Sequence, residues 1–406
     1  MRVCVIGAGA SGMMASIVLA RGGVDVALVE KNEKFGKKLY ITGKGRCNLT
    51  NDCEMDDMFA NVVRGEKFLR SSLYGFTPQD TMSFFEDLGL KLVVERGNRV
   101  FPFSQKSSDV IKALQIEIEN LGVKTYLGTE VKELKKTHDG FTVVTPWERI
   151  DCDKVIVATG GVSYPSTGST GDGYAFARSF GLKIVEPRQA LVPIIVKQNV
   201  SSMQGISLKN VLLSAFDESG KEIASEFGEM LFTNRGLSGP IALSVSSYIN
   251  RKQGVKLYLD LKPALDENAL DRRILRDFDE RKNQDIKNVT RALLPERLNV
   301  YVLKCANINE SKKVNEITKE ERARLVGNVK NLRFDVQSLA PFAEAIVTSG
   351  GVDLKCLRPT CECKDVEGLY FVGETIDIDA LTGGFNLQLA FATAVCAARD
   401  ILKKTA

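Results

Sequence analysis

The feature that most constrains this 406-residue chain is a glycine pattern close to its start. A short apolar segment at residues 2–6 leads into Gly-x-Gly-x-x-Gly at residues 7–12, and an Ala- and Met-rich segment with helical spacing follows. The next apolar segment, residues 24–29, ends at Glu30. A strand, a glycine turn, a helix and a second strand closed by an acid predict a parallel, right-handed βαβ unit that binds a dinucleotide.

Each position of this pattern has a physical role. Gly7 permits the tight turn, Gly9 lets the backbone approach a pyrophosphate, and Gly12 lets the helix pack close to the sheet. The helix N-terminus offers free N–H groups and the positive end of its dipole to the phosphates. Glu30 can accept hydrogen bonds from the ribose hydroxyls. We therefore expect a nucleotide at this turn rather than a glycine-rich turn without a ligand.

The other end of the chain indicates which nucleotide this is. Residues 369–372 read as a strand that ends at Gly373, followed by the acids Glu374 and Asp377 and by a glycine pair before a helix. A second strand–glycine–acid element suits the ribityl chain of a flavin, and the glycine helix start can place N–H groups near the flavin edge. The sequence therefore favours FAD over NAD as the bound cofactor.

Residues 36–51 are basic and rich in glycine, and they show no clear periodicity, which predicts a loop. Lys37, Lys38, Lys44 and Arg46 concentrate positive charge there. We interpret this loop as a clamp on the pyrophosphate or on the reduced flavin. The alternative is a solvated basic loop without a ligand.

Three further segments are candidates for cofactor contact. Residues 158–161 follow a buried strand and should run near the adenosine or pyrophosphate, and a backbone amide at Val131 could meet the adenine. Residues 168–173 could approach a nicotinamide cofactor or wrap the FAD, and the sequence leaves both open. The residues expected to bind the cofactor are Gly7, Gly9, Ala10, Ser11, Gly12, Glu30, Lys31, Lys38, Leu39, Thr42, Gly43, Arg46, Asn48, Val131, Ala158, Thr159, Gly160, Gly373, Glu374, Asp377, Gly384, Asn386 and Leu387.

Composition excludes several classes of function. The chain has 55 Lys and Arg against 51 Asp and Glu, and a net charge of +4 is too small to predict a nucleic acid partner or a membrane surface. No apolar run reaches the roughly 18 residues of a membrane helix, and the N-terminus lacks a signal-peptide pattern, so we expect a cytoplasmic protein. The one histidine, His138, lies in a polar turn, which excludes a Ser-His-Asp hydrolase or a multi-His metal site.

The nine cysteines show no disulfide-scaffold spacing. Cys47 has Cys53 as its only near partner, and a packing role is favoured over a redox role. Cys356, Cys361 and Cys363 lack the paired spacing of zinc sites, so we expect free thiols in a surface loop and no metal.

The pattern of elements predicts an α/β nucleotide domain interrupted by an insertion. Residues 1–190 and 341–406 form the nucleotide domain. The insertion has a β part, residues 191–261 and 336–340, and a densely charged helical part, residues 262–335, which we interpret as solvated, with a lid role possible.

The chain resembles the bacterial BaiN-like and YhiN-like family of NAD(P)/FAD-dependent oxidoreductases, also described as aminoacetone-oxidase-like. The resemblance covers nearly the whole length and rests on residues 7–12, 36–51, 99–102, 158–161, 163–165, 168–173, 236–240, 348–352 and 373–388. It implies a two-dinucleotide-binding-domain, Rossmann-like flavoprotein fold, FAD, and an inserted β-barrel-like and helical region that covers the flavin. The chain departs from the family at Asn234, where members usually carry His, and in its cysteine-rich segment.

The resemblance implies two enzymatic branches. One is an NAD(P)H-dependent reductase of a small organic substrate, for instance of an activated C=C bond, with hydride transfer through flavin N5, and this branch is favoured. The other is an oxidase of a small amine such as aminoacetone. A tRNA-modifying flavoprotein and a non-catalytic flavin redox sensor are further alternatives. No catalytic residue is assigned, and the sequence leaves the substrate, the nicotinamide and the oligomeric state open.

Overall fold

The structure is a computed structural model that describes residues 1–404. The described chain divides into two compact units. The first unit consists of Met1–Ala190 together with the chain from Phe342 onward, and the second unit is Leu191–Pro341.

The strands, in chain order, are β1 (Arg2–Ile6), β2 (Asp25–Val29), β3 (Thr50–Asn51), β4 (Val62–Arg64), β5 (Leu92–Glu95), β6 (Arg99–Pro102), β7 (Lys124–Tyr126), β8 (Glu133–Lys136), β9 (Phe141–Val144), β10 (Arg149–Cys152), β11 (Lys154–Val157), β12 (Ile184–Ala190), β13 (Ile194–Val196), β14 (Ser207–Phe216), β15 (Glu222–Phe232), β16 (Gly236–Ser238), β17 (Lys256–Asp260), β18 (Leu332–Leu339), β19 (Val347–Val352), β20 (Leu369–Phe371) and β21 (Asp379–Ala380).

The α-helices are α1 (Ala10–Arg21), α2 (Lys37–Ile41), α3 (Met55–Ala60), α4 (Glu66–Gly75), α5 (Pro78–Asp87), α6 (Ser107–Asn120), α7 (Asp172–Ser179), α8 (Pro240–Ile249), α9 (Glu267–Glu280), α10 (Ile286–Thr290), α11 (Glu296–Cys305), α12 (Lys319–Lys330) and α13 (Phe385–Lys403). Among residues 1–404, no helix combines the length and the apolar character needed to cross a membrane.

A five-stranded sheet in the order β20-β11-β1-β2-β7 forms the centre of the first unit, and its neighbouring strands run parallel. In the register of this sheet, Val5 lies opposite Leu28 on one side and Ile156 on the other. Strands of a parallel sheet are buried on both faces, which explains why β1 and β2 are apolar at successive positions. The expected strand–helix–strand unit at the N-terminus is confirmed, and α1 and α13 pack against each other beside it.

An antiparallel meander, β8-β9-β10, interrupts the parallel connection before β11. The predicted turn at His138 joins β8 to β9, and this imidazole side chain is 97% exposed. β10 was not anticipated, because its four residues alternate exposed polar and buried apolar side chains over too short a distance to stand out.

The second unit contains a closed barrel in the order β13-β16-β15-β14-β17-β18. Its longest strand, β15, was not predicted, because most of its residues are polar or partly exposed and the apolar alternation appears only near its end. The helices α9 to α12 lie between β17 and β18 in the chain, and their buried side chains join those of the barrel in one hydrophobic core. β18 begins at Leu332, inside the range expected to be helical.

Two local expectations are corrected. The segment expected to be a loop, residues 36–51, contains α2 and a 3₁₀ turn at Thr42–Gly45. Left-handed backbone at Gly43 and Lys44 breaks the helical periodicity that would have revealed it. The cysteine segment is not a surface loop throughout, because Cys361 and Cys363 are buried beside β20.

Candidate nucleotide-binding site

The glycine turn after β1 has the geometry that its sequence predicts. Gly7 has a φ of +104°, and a Cβ there would lie 2.6 Å from the carbonyl oxygen of Ala158. A Cβ on Gly12 would lie 1.8 Å from the carbonyl oxygen of Gly7. Gly9 differs, because a Cβ there would meet no atom within 4 Å. Two glycines are therefore required by the packing of the protein, and the third leaves open space at the start of α1.

The N-terminus of α1 carries no capping side chain. Gly9 is the N-cap residue, and α1 has no acidic residue in its first turn. The first N–H groups of a helix have no partner within the helix, and the dipole places partial positive charge at this end. The predicted site residues Ala10 and Ser11 lie in this turn. An anionic group can be bound here by backbone N–H groups alone.

Glu30 lies directly behind this turn and is 8% exposed. One carboxylate oxygen accepts a hydrogen bond from the Ala8 N–H at 2.7 Å, and the other accepts from the backbone and side-chain N–H groups of Asn32 at 2.8 and 2.7 Å. The Thr129 N–H donates to the Glu30 carbonyl oxygen, which brings the segment of Val131 to the same place. The structure thus brings Glu30, which we expect at the ribose, close to the segment of Val131, which we expect at the adenine.

Lys38 of the basic loop and Glu374 of the C-terminal segment, both predicted site residues, contact each other directly. Lys38 Nζ donates to Glu374 Oε2 at 2.5 Å and to Ser163 Oγ at 2.6 Å. Glu374 Oε1 accepts from Ser163 Oγ at 2.8 Å and from the Thr348 N–H at 2.6 Å. Ser163 and Thr348 were missed as site residues, although both lie in motifs that carry the family resemblance.

Two other predicted cations are engaged by protein groups. Lys31 Nζ donates to Thr170 Oγ1 at 2.5 Å and to Asp172 Oδ2 at 2.6 Å, so the 168–173 segment lies beside Glu30. Arg46 forms an ion pair with Glu95, and its guanidinium lies 4.1 Å from the centre of the Phe101 ring. Of the predicted site cations Lys31, Lys38 and Arg46, Lys38 is the one whose side chain contacts another predicted site residue, Glu374.

The turn between α2 and β3 holds a buried amide oxygen without a partner. Asn48 Oδ1 is inaccessible to solvent and accepts no hydrogen bond from the described residues. The neighbouring residue Cys47 has a φ of +58° and is fully buried. Burial raises the pKa of this thiol to about 12, so it is neutral at physiological pH, as a packing role requires.

The C-terminal segment packs against the N-terminal turn. Gly373 has a φ of +63°, and a Cβ there would lie 2.7 Å from Ser11 Oγ. A Cβ on Gly384 would lie 2.3 Å from the Thr50 carbonyl oxygen. These close approaches bring both predicted glycines of this segment to elements near the start of the chain.

Two predicted polar residues of this segment bond to protein groups. Asp377 is held by Arg64, whose Nε and Nη2 donate to its two oxygens at 2.7 and 2.6 Å. The Asn386 side chain accepts from the Ala380 N–H and donates to the Ala380 carbonyl oxygen. Arg64 was missed because no motif surrounds it, and the structure reveals it through the pairing of β4 with β21.

The remaining predicted residues lie on the elements around these groups. Thr159 Oγ1 accepts from the Gly173 N–H and the Gly160 N–H donates to Thr375 Oγ1, both at 3.1 Å. Leu39 is buried in α2, Leu387 is partly buried in α13, Thr42 and Gly43 lie in the 3₁₀ turn, and Ala158 is buried after β11.

Comparison with known proteins places this geometry in a family. The model of the HI0933-like protein Rossmann domain matches residues 1–400. This chain belongs to the HI0933-like family. It is 31% identical to the 3-dehydro-bile acid delta(4,6)-reductase of Clostridium scindens over 98% of each chain. It is 30% identical to the ribosomal RNA dihydrouridine synthase of Escherichia coli, over 98% of this chain and 97% of the relative.

Solved structures with a similar fold include two steroid dehydrogenases. The 3-ketosteroid delta1-dehydrogenase of Sterolibacterium denitrificans has a TM-score of 0.54 and 14% identity, and 99% of each chain is covered. The 3-ketosteroid-delta4-(5alpha)-dehydrogenase of Rhodococcus jostii RHA1 has a TM-score of 0.52 and 13% identity, over 98% of this chain and 96% of that chain. The expected family and the Rossmann-type flavoprotein fold are confirmed, and the HI0933-like chain is an FAD-dependent oxidoreductase.

The residues present fit FAD. Gly9 leaves open space at an uncapped helix, where a pyrophosphate can approach the backbone. Asn48 Oδ1 and Tyr174 Oη are buried polar atoms without hydrogen-bond partners among residues 1–404. Buried polar groups are normally satisfied, so both atoms indicate a polar ligand in this region. Gly7 to Gly12 and Glu30 would hold the adenosine diphosphate part of FAD. Asn48 would offer a hydrogen-bond acceptor to the remainder of the cofactor.

Proposed function

We propose that this HI0933-like enzyme reduces a C=C bond conjugated to a carbonyl group in a small organic substrate, with NAD(P)H as the reductant. The observation that carries the proposal is the end-to-end similarity to a protein named 3-dehydro-bile acid delta(4,6)-reductase. FAD, when bound, supplies the hydride for this reduction and takes electrons from the nicotinamide. The chain's own residues bind and orient the reactants and provide charge.

The first task of the chain is to hold two phosphates without a dense set of cations. The glycine turn at residues 7–12 offers backbone N–H groups, and Glu30 offers carboxylate oxygens to ribose hydroxyls. Glu30 is already oriented by two protein donors, Ala8 and Asn32, so little reorganisation is needed when a ribose competes for the same oxygens.

A second task is to keep a positive charge in a fixed place. Lys38 is about four-fifths buried and is held by Glu374 and Ser163. A partly buried cation with short hydrogen bonds is better ordered than a solvent-exposed lysine, and it stabilises negative charge that develops near it. We assign this role to Lys38 within the proposal, with Glu374 as its positioning residue.

Reduction also needs a proton at the carbon that does not receive the hydride. His138 is excluded from this role by its exposed turn. Tyr174 carries a buried hydroxyl without a partner, and burial together with the carboxylates of Glu374 and Asp377 raises the pKa of this phenol. It therefore stays protonated and can donate a hydrogen bond to a polar group, but its raised pKa makes it a weak acid, so the proton transfer is assigned to no residue.

A second candidate function is reduction of the uracil ring in RNA. It is favoured by the full-length similarity to ribosomal RNA dihydrouridine synthases of Escherichia coli and Haemophilus influenzae, each 30% identical. A uracil C5=C6 bond is also conjugated to a carbonyl group, so both candidates require the same chemistry and differ in what carries the double bond.

Anaerobic photometry tests the proposal. FAD-loaded enzyme is titrated with NADH and with NADPH, and the reduced enzyme is then mixed with a conjugated enone, with a uridine-containing RNA or with a small amine. We expect one nicotinamide to bleach the flavin absorbance and an enone or RNA to restore it. Bleaching by an amine with no response to either nicotinamide would overturn the reductase and support an oxidase.

Lys38→Met and Lys37→Met form a matched pair for this assay. Lys37 is exposed and its Nζ reaches only Asn32 Oδ1 at 3.3 Å. We expect Lys38→Met to slow flavin reduction and Lys37→Met to leave its rate near that of the parent enzyme. Equal rates for the two variants would remove Lys38 from the proposed role.

A further inference from the structure

Two segments of the first unit carry a concentration of positive charge. Residues 33–46 and 91–106 together, here named the basic surface, contain nine Lys and Arg and two acids, Glu33 and Glu95. The whole chain has 55 basic and 51 acidic residues. A net charge near neutrality therefore conceals a strongly uneven distribution.

The two segments lie side by side. Arg46 pairs with Glu95 and its Nε donates to Gln105 Oε1 at 2.5 Å. The hydroxyl of Ser107, the first residue of α6, donates to the Tyr40 carbonyl oxygen at 2.6 Å. These contacts join α2 and its 3₁₀ turn to the β5–β6 hairpin and to the turn before α6. The cations thus belong to one continuous surface.

Most of these cations have no acidic partner. Within the basic surface Glu95 pairs with Arg46, and Lys38 pairs with Glu374 in the nucleotide site. The cations that form no ion pair with any acid in residues 1–404 are Lys34, Lys37, Lys44, Lys91, Arg96, Arg99 and Lys106. Seven like charges on one surface repel one another, and a polyanion would relieve this repulsion.

Two aromatic rings project from the same surface. The side chain of Tyr40 is 57% exposed and that of Phe103 is 69% exposed. The Phe103 N–H donates to the Lys91 carbonyl oxygen at 2.8 Å, so Phe103 and Lys91 are neighbours on this surface. Exposed aromatic rings among unpaired cations are the arrangement by which proteins stack unpaired bases while they neutralise the backbone.

We propose that the basic surface binds a single-stranded segment of RNA, with the free cations on phosphates and Tyr40 and Phe103 on bases. The proposal rests on the second candidate function, since a reductase of RNA must hold the strand near its cofactor. α2 connects the two sites, because Lys38 contacts Glu374 and Tyr40 is exposed two residues later. Exposed rings favour a single strand, whose bases are available for stacking. The sequence analysis expected no nucleic acid partner because the net charge is small. Net charge gives no information on how the positive residues are clustered on the surface.

The experiment measures binding and not turnover. FAD-loaded enzyme is titrated into a fluorescently labelled oligouridine of about 12 nucleotides, within the usual site sizes for single strands, and anisotropy is followed between about 50 and 200 mM salt. We expect Lys91→Glu with Lys106→Glu to weaken binding at least about ten-fold and to reduce the salt slope by about 1.4. Tyr40→Ala and Phe103→Ala should each weaken binding at least about five-fold.

The matched control reverses the charge of two exposed lysines of the second unit, Lys209→Glu with Lys221→Glu. This control changes the net charge of the protein by the same amount as Lys91→Glu with Lys106→Glu. It should leave binding near the parent level. An equal loss in the control, unchanged binding in both aromatic variants, or tighter binding to heparin or to anionic phosphatidylglycerol vesicles than to RNA would overturn the proposal. Enone reduction without RNA binding would defeat this inference alone, and RNA binding without reduction of any substrate would defeat the proposed function alone.

Discussion

Adding one methyl group at Gly9 or at Gly12 separates the two roles that glycine has in the N-terminal turn. Gly9 has φ −79° and ψ −168°, which any residue adopts, and a Cβ there meets nothing within 4 Å. Gly12→Ala would place its Cβ 1.8 Å from the Gly7 carbonyl oxygen and 3.3 Å from Ala158 Cβ. The first change is compatible with the protein, and the second is not.

The two substitutions are expected to change the stability of the FAD-free protein in opposite directions. Gly9→Ala should raise the stability of the FAD-free protein by about 0.4–1 kcal/mol, because alanine restricts the unfolded chain. Gly12→Ala should lower it by about 3 kcal/mol, the upper part of the over-packing range, because the clash is with backbone. If the pyrophosphate approaches Gly9, its methyl group displaces one charge-assisted hydrogen bond, which weakens FAD binding about 10- to 100-fold.

Urea unfolding of FAD-free protein and FAD titration followed by flavin absorbance measure the two effects. At a concentration of FAD equal to 100 times the parent dissociation constant, FAD should stabilise the parent by about 2.7 kcal/mol and Gly9→Ala by about 0.4–1.4 kcal/mol. Parent-like FAD affinity in Gly9→Ala would refute the placement of the phosphates at this turn. Parent-like stability in Gly12→Ala would refute the packing argument.

Three further predictions concern groups around the site. Glu374→Gln should lower the free energy of unfolding by about 1–2 kcal/mol in urea titration, because Lys38 loses its counter-ion in a partly buried place. Arg64→Met should cost about 2 kcal/mol in the same assay, because the Asp377 side chain is 9% exposed and loses both donors. Burial raises the pKa of Cys47 from 9.0 to about 12, so above pH 9 the unfolded state releases a proton that the folded state keeps. The parent should therefore lose about 2 kcal/mol more than Cys47→Ala between about pH 9 and 10.5.

Each of these predictions has a control. Arg70→Met removes an exposed ion pair with Glu66 and should change stability by less than about 0.5 kcal/mol, and a cost equal to that of Arg64→Met would contradict the burial argument. Lys38→Met combined with Glu374→Gln should cost less than the sum of the single changes, and simple additivity would show that the pair does not interact. Identical pH profiles for the parent and Cys47→Ala would contradict the raised pKa of this thiol.

The central sheet and its cofactor were predictable because their signals are local. The spacing of Gly7, Gly9 and Gly12 after an apolar strand is a backbone requirement that lies within a few residues. The same holds for the strand and glycine at 369–373 and for the helix before Lys403. The secondary structure of strongly periodic segments of this kind can be predicted from their own residues, without information on the segments that pack against them.

Elements with a weak apolar pattern or with left-handed backbone were less predictable. β15 is long, but its exposed face carries the apolar Phe227 and Leu231, and its opposite face carries Glu226 and Gly228, so the alternation of apolar and polar residues is weak in the sequence. α2 is five residues long and is followed by left-handed Gly43 and Lys44. Such segments depend on the barrel or the sheet that covers them, and their own residues specify them weakly.

The sequence by itself determined that a dinucleotide turn opens this chain, because the glycine spacing and the terminal acid act over a short distance. Only the tertiary structure decided that Lys38 contacts Glu374, that Asp377 contacts Arg64, and that seven unpaired cations share one surface. Lys38 and Glu374 are 336 positions apart, and side-chain pairing at such separations depends on how the strands bring the segments together. Charge counts along a chain are averages, whereas binding depends on which charges lie next to each other in space.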